Sequence, residues 1–186
     1  MVATNEFKKG LYIEVDGNPF VILEFQHVKP GKGNAFVRTR MKNLLLNTVL
    51  EKTFKSGEKF EEANVQRRVM QYLYKDKDGY QFLDMESYEQ FLVSEDAVGD
   101  GKLYLIENME MDVLFYNGRS VSIELPNFVQ LEVGETEPAM KGDTVSGGGK
   151  PAITTTGLKV NVPFHIKVGD VLKIDTRTAT YVEKVK

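Results

Sequence analysis

Short apolar runs and Asp-Gly or Asn-Gly pairs alternate along the chain, and this pattern predicts β-structure throughout. Residues 11–15 form an apolar run, Asp16-Gly17 supplies a tight hairpin turn, and residues 20–25 form the return strand. Residues 35–40 alternate apolar and basic side chains, as a half-exposed strand does, and 48–50 and 53–54 continue the pattern. A second block starts at Val65. Residues 70–74 and 80–83 flank Asp78-Gly79, and residues 112–116 and 120–123 flank Asn117-Gly118. Residues 87–92 read as one helical turn, with Ser87 and Gln90 at capping-box spacing. A third block from Pro126 holds strands near 128–133, 157–162, 170–174 and 180–185, with a Gly-rich loop over 142–149. Several short strands per block suggest small barrels, with boundaries near 64 and 126. No block holds a helix long enough for a βαβ crossover, which disfavours an α/β nucleotide-binding fold.

Composition narrows the chemistry. The 186 residues include no Cys, which excludes a disulfide framework, a thiolate metal site and a Cys nucleophile. The N-terminal residues lack the apolar run of a signal peptide, and no stretch approaches the apolar length of a membrane span. A cytoplasmic protein with no membrane contact is expected. The net charge of −3 speaks against a general nucleic-acid binder. Split by block, the charge is +2 over 1–64, −6 over 65–126 and +1 over 127–186. Residues 25–50 contain no Asp or Glu but hold Lys29, Lys32, Arg38, Arg40 and Lys42. Arg38 and Arg40, two apart on a predicted strand, share a face. That face reads either as a phosphate-tracking surface or as an ordinary solvated strand.

Lys32 stands between Gly31 and Gly33, after Pro30, at the tip of a predicted hairpin. It is a soluble residue on a good turn, or a lone amine able to enter a narrow cavity. The stretch Gly142–Lys150 lacks the spacing of a phosphate loop, since Pro151 follows the Lys. It reads as a flexible turn or as a loop that touches RNA. His27 and His165 are too few and too far apart in sequence to suggest a zinc site, and no metal or cofactor is expected. No carboxylate pair calls for acid–base chemistry, and no nucleophile elbow is present.

Lys29-Pro30-Gly31-Lys32-Gly33 followed by Ala35-Phe36 resembles the tip of the bacterial translation elongation factor P family. Residues 51–56 resemble the segment that follows it, and Pro126-Asn127-Phe128-Val129 the junction to the last domain. Lys150-Pro151-Ala152, Gly157, Val160, Val162-Pro163, Ile166, Gly169-Asp170, Asp175-Thr176-Arg177-Thr178 and Tyr181-Val182 match the family's C-terminal signature. The resemblance covers the whole chain. It implies an all-β fold of three small barrels in an L-shaped arrangement: an SH3-like domain over 1–64 and OB-type barrels over 65–126 and 127–186. It also implies a non-enzymatic factor that binds the ribosome between the peptidyl-tRNA and exit sites and relieves stalling at consecutive prolines.

By this resemblance Lys32, framed by Pro30, Gly31 and Gly33, reaches the peptidyl-transferase centre and is the position that many members modify. His27, Lys29, Arg38, Arg40 and Lys42 become RNA-binding candidates. Gly142-Asp143-Thr144 match the loop that approaches the exit-site codon, and Tyr181 and Lys184 match C-terminal functional positions. The implied partners are the ribosome, through its RNA and proteins, peptidyl-site tRNA and a Lys-modifying enzyme, with the factor a monomer. Two departures stand out. Lys184 replaces an Arg of some relatives, which weakens bidentate phosphate contact. Ala179-Thr180 replaces a frequent Gly-Glu, which puts the last turn's geometry in question. Two other classes remain open: a single-strand RNA-binding module using Phe25 and Phe36, and an enzyme using Lys32 as a Schiff-base amine.

Overall fold

A computed structural model describes residues 1–139 and 148–185. In chain order the strands are β1 Val2–Ala3, β2 Tyr12–Val15, β3 Asn18–Val28, β4 Phe36–Asn43, β5 Val49–Lys55, β6 Lys59–Phe60, β7 Val65–Lys75 and β8 Tyr80–Asp84. They continue as β9 Gln90–Val93, β10 Glu110–Tyr116, β11 Arg119–Glu124, β12 Phe128–Thr136, β13 Lys150–Thr154, β14 Lys159–Val162, β15 Val171–Asp175 and β16 Thr180–Lys184. Among the described residues helix is confined to the four residues Glu95–Val98 (α1) and to 3₁₀ turns at Thr4–Glu6 and Gly99–Tyr104. The fold is all-β, and its strands form sheets ordered β2-β3-β4-β5, β1-β6, β11-β10-β7-β8-β9 and β14-β13-β12-β15-β16. None of the described helices is long and apolar enough to cross a membrane.

The chain folds into two compact units: residues 1–68 with 113–122, and 69–112 with 123–186. In the first, Val2, Phe7, Ile13, Val15, Phe20, Ile22, Val37, Met41 and Phe54 form a continuous core. Its aromatic centre is built edge-on, with Phe7 meeting Phe25 at 6.5 Å and Phe54 at 6.3 Å. Edge-to-face rings place positive rim on negative face, so they add attraction beyond area burial. In the second unit, Leu131, Val133, Val162, Leu172 and Ile174, the alternate inward residues of β12, β14 and β15, pack with Ile166 of the connecting turn in a core cluster.

The turns form where the sequence places them, with Asp16 (φ +50°) and Asn117 (φ +50°) in the left-handed region that two-residue hairpin turns require. In the final turn Ala179 itself takes φ +55°, in the left-handed region. Residues 87–92 are not a helical turn. Gln90–Val93 is strand β9, and residues 85–89 form a turn around the buried Asp84. Its Oδ1 accepts from Glu86 N (2.8 Å) and Ser87 N (3.1 Å), so those amides are spent on a side chain and not on a helix ladder. Sequence reading also misses β1, β6 and β13, which are too short or too polar to register as apolar runs.

Candidate functional site

Strands β3 and β4 form a hairpin centred on Lys32. Every pair from Val28↔Phe36 back through Gln26↔Arg38 to Glu24↔Arg40 is equidistant in sequence from that residue. Beyond Val28 and Phe36 the hairpin ladder stops, while Ser56 N donates to Ala35 O (3.1 Å) and ties down the return arm. Residues 29–34 are exposed, so Lys32 stands at the apex of a protruding loop. It lies four positions from each member of the last pair, a reach of at most about 13 Å for extended chain. Gly33 takes φ +103°, which an L side chain rarely adopts, while a Cβ on Gly31 would meet nothing within 4 Å. Gly33 is therefore the glycine the turn requires, and Pro30 packs against it, its Cγ 3.9 Å from where a Cβ at 33 would be.

Strand β4 alternates as its sequence predicts. Val37, Thr39, Met41 and Asn43 are buried, Arg38 and Arg40 are exposed, and Lys42 is half-buried on their side. The three cations thus share one face. Arg38 faces Gln26 and Thr53, neither of them charged. Arg40 differs: Glu24 pairs with it across β3, with Nη1 to Oε2 at 3.8 Å, and Glu51 is its register partner on β5. Lys42 lies between Val21 and Val49. A concavity of about 520 Å³ opens on these strands, with Lys9, Glu24, Gln26, Arg38, Arg40 and Glu51 among its lining residues. The acid-free window is therefore flanked in space by two carboxylates that lie just outside it in sequence. The hairpin's symmetry about Lys32 was the available signal for Glu24, since residues equidistant from a hairpin apex pair.

His27 lies on the other face. It pairs with the buried Val37, and its ring meets Phe25 edge-on at 5.6 Å. Phe25 in turn packs against the core, which leaves it poorly placed as a base-stacking platform. The irregularity between Ile22 and Glu24 in the β3–β4 ladder sets this division of faces.

The C-terminal residues sit elsewhere. Tyr181 pairs with Ile174 and packs against the core of the second unit. The Lys184 ammonium meets Asp170 Oδ1 at 3.0 Å. Asp170 also accepts from Lys167 N (2.8 Å); that amide, and then Lys184, hold its carboxyl below the usual range. Lys150 is buried, and its ammonium donates to the Glu137 carbonyl. Gly142, Asp143 and Thr144 lie outside the described residues. Among the described residues no group of three or more His, Asp or Glu is arranged to hold a metal ion.

Comparison with known proteins gives three matches to family models. Residues 3–60 match the elongation factor P (EF-P) KOW-like domain, 65–123 the elongation factor P (EF-P) OB domain, and 129–184 the elongation factor P C-terminal model. The chain is similar to elongation factor P of Natranaerobius thermophilus, 54% identical over 186 residues, covering 100% of this chain and 99% of that protein. It is 53% identical over 185 residues to elongation factor P of Pelotomaculum thermopropionicum, covering 100% of both. Among solved structures it resembles eukaryotic translation initiation factor 5A from Methanococcus jannaschii, with a TM-score of 0.54 and 26% identity. That similarity covers 66% of this chain and 90% of the other.

Proposed function

The chain belongs to the elongation factor P family of translation factors, and from that premise we propose that it binds the ribosome beside peptidyl-tRNA and promotes peptide-bond formation on proline-rich templates. The observation that carries the reading is the symmetric hairpin with the exposed Lys32 at its apex. A long flexible cation on a narrow, side-chain-poor tip suits a cavity too small for a folded domain. The amine supplies charge and hydrogen-bond donors to the backbone of the tRNA acceptor end.

The factor acts by positioning. Proline's ring fixes φ, and its secondary amine attacks the peptidyl ester poorly. Holding the acceptor end in a reactive pose removes part of the entropic barrier. No bond is made or broken by the protein, and the exposure of Lys32 is the reverse of the desolvated pocket an amine catalyst needs. A group added to Lys32 by a modifying enzyme lengthens the same reach. Lys29 and Arg38 hold neighbouring RNA phosphates, with Arg40, Lys42 and His27 in supporting places. Gly142-Asp143-Thr144 approach the exit-site codon, and Tyr181 and Lys184 serve the C-terminal end of the contact. The three matched stretches support domains over 1–64, 65–126 and 127–186. The factor works as a cytoplasmic monomer without a cofactor.

The test is single-turnover peptide-bond formation on a Pro-Pro-Pro template. The unsubstituted chain should accelerate it at least about tenfold over Lys32→Ala, equivalent to about 1.4 kcal/mol of barrier. Equal acceleration by both overturns the reading.

A further inference from the structure

The β3–β4 ladder ends at Val28 and Phe36, so the aim of Lys32 depends on what holds the arms of its loop. On the outgoing arm Pro30 fixes one φ. On the return arm Ser56 N donates to Ala35 O (3.1 Å), three residues from Lys32. Ser56 lies just past β5, in the turn that leads to β6. It anchors Ala35 only as firmly as that turn is itself held.

Thr4 holds the turn. Its N–H donates to Glu58 O (3.0 Å), its hydroxyl donates to Lys55 O (3.4 Å), and the same oxygen accepts from Gly57 N (2.8 Å). Both sequence neighbours of Ser56 are therefore bonded to one hydroxyl, which uses its donor and its acceptor at once. Lys55 N donates to Glu58 Oε2 (3.0 Å) and Glu58 N to Lys55 O (3.1 Å), which closes the turn on itself. Thr4 is itself firmly placed. It is fully buried, it follows the pairs Val2↔Phe60 and Ala3↔Lys59, and its carbonyl accepts from Phe7 N (3.3 Å). Phe7 packs against Phe54 and Phe60 in the aromatic core. A continuous path of contacts thus runs from that core through Thr4 and the turn to Ala35. Residues 55–58 and 29–34 are exposed, so the far end of this path buries little apolar surface. What it fixes is the direction of a lone amine, and a positioned group loses its effect steeply with displacement.

We propose that Thr4 is a positioning residue for Lys32: through the 55–58 turn and Ala35 it aims the apex amine at the tRNA acceptor end. This rests on the positioning reading above. Amide hydrogen exchange of the free chain reads the brace itself. Thr4→Val keeps the shape and removes the hydroxyl; the groups it frees belong to the exposed Lys55 and Gly57 and reach water, so the fold is retained. Exchange of the Ser56 N–H should speed up about fivefold in Thr4→Val and stay level in Thr4→Ser. An unchanged Ser56 rate in Thr4→Val overturns the inference independently of the ribosome. Single-turnover peptide-bond formation on the Pro-Pro-Pro template, at saturating factor, reads the consequence. Thr4→Val should slow it about threefold to tenfold, Thr4→Ser should restore it, and ribosome affinity should be the same for both. In a Lys32→Ala background Thr4→Val should have no further effect, because it acts through that amine. A mere loss of folded protein would slow both backgrounds by the same factor, and that result overturns the inference. So does a Thr4→Val chain as fast as the unsubstituted one while Lys32→Ala is slow. Equal rates for Lys32→Ala and the unsubstituted chain overturn the functional reading and this inference with it.

Discussion

The Arg40–Glu24 pair predicts that removing a negative charge will tighten binding to the ribosome. Arg38 and Arg40 are chemically identical and two residues apart on one face, so sequence alone gives them equal roles. Their surroundings differ. Arg38 faces Gln26 and Thr53, whereas Arg40 has Glu24 at 3.8 Å and Glu51 in register. At that distance the Coulomb attraction in water is about 1 kcal/mol. The Arg40 and Glu24 side chains are 49% and 61% exposed, so solvent screening reduces the net value to about 0.5 kcal/mol. A phosphate approaching Arg40 must compete with that attraction and is also repelled by both carboxylates. Glu24→Gln keeps shape and hydrogen bonding while removing one carboxylate. It should raise affinity about twofold to fivefold at low salt, from about 0.5–1 kcal/mol of relieved competition. The gain should fade above about 0.15 M salt, where the screening length is about 8 Å.

The assay is a titration of ribosomes into labelled protein over a series of KCl concentrations. Arg38→Ala should reduce the slope of log affinity against log salt by about 0.7–0.9, the value of one lost phosphate contact. Arg40→Ala should reduce it by clearly less. All these side chains are exposed, so the fold is retained in each variant. Equal slope changes for the two arginines, or weaker binding by Glu24→Gln, would refute the reasoning.

Two stability predictions are independent of ribosome binding. Gly79 has φ +143°, and a Cβ there would lie 2.8 Å from Val93 O, whereas Gly118 has φ +80° with nothing within 4 Å. Urea denaturation should show Gly79→Ala costing about 2–4 kcal/mol and Gly118→Ala about 1 kcal/mol, because only the former adds a backbone overlap to conformational strain; equal costs would exclude the overlap. The Asp170 carboxyl is held below the usual range by Lys167 N–H and then by the Lys184 ammonium. Its contribution is therefore present above the ordinary carboxylate value, near pH 4, and is lost as pH falls through the lowered folded value. Thermal melts from pH 7 to pH 2 should show a shallower acid limb for Asp170→Asn, and an identical limb would remove Asp170 from the account.

The hairpins were legible because their information is local. An Asp-Gly or Asn-Gly pair fixes the turn, and alternation then sorts each strand's faces, as at Val37, Arg38, Thr39 and Arg40. The β8–β9 turn was misread because the deciding group, the buried carboxylate of Asp84, lies outside the window that resembled a helix start. The cationic face was half legible. Alternation put Arg38 and Arg40 together, but only the register reveals Glu24 and Glu51 beside Arg40. His27 was grouped with the cations as an RNA-binding candidate on the family resemblance. The irregular ladder between Ile22 and Glu24 instead puts it on the face of Phe25 and Val37.

These arrangements bear on how an acidic chain can select RNA. Non-specific affinity scales with the number of phosphates neutralised at once, and it falls steeply with salt. Here the first 64 residues carry only +2, the balance of ten cations and eight carboxylates, with Glu24 and Glu51 among the latter and set beside Arg40. The middle stretch carries −6 and repels a bare phosphate backbone. Lys32 is exposed at the hairpin apex, and Arg38 is exposed facing uncharged neighbours. Free RNA offers such a chain a small electrostatic gain. A preformed cavity that admits the apex offers shape, amine hydrogen bonds and a few well-placed phosphates together. On the proposed reading, selectivity comes from the fit of the Lys32 apex into a cavity and not from the chain's overall charge.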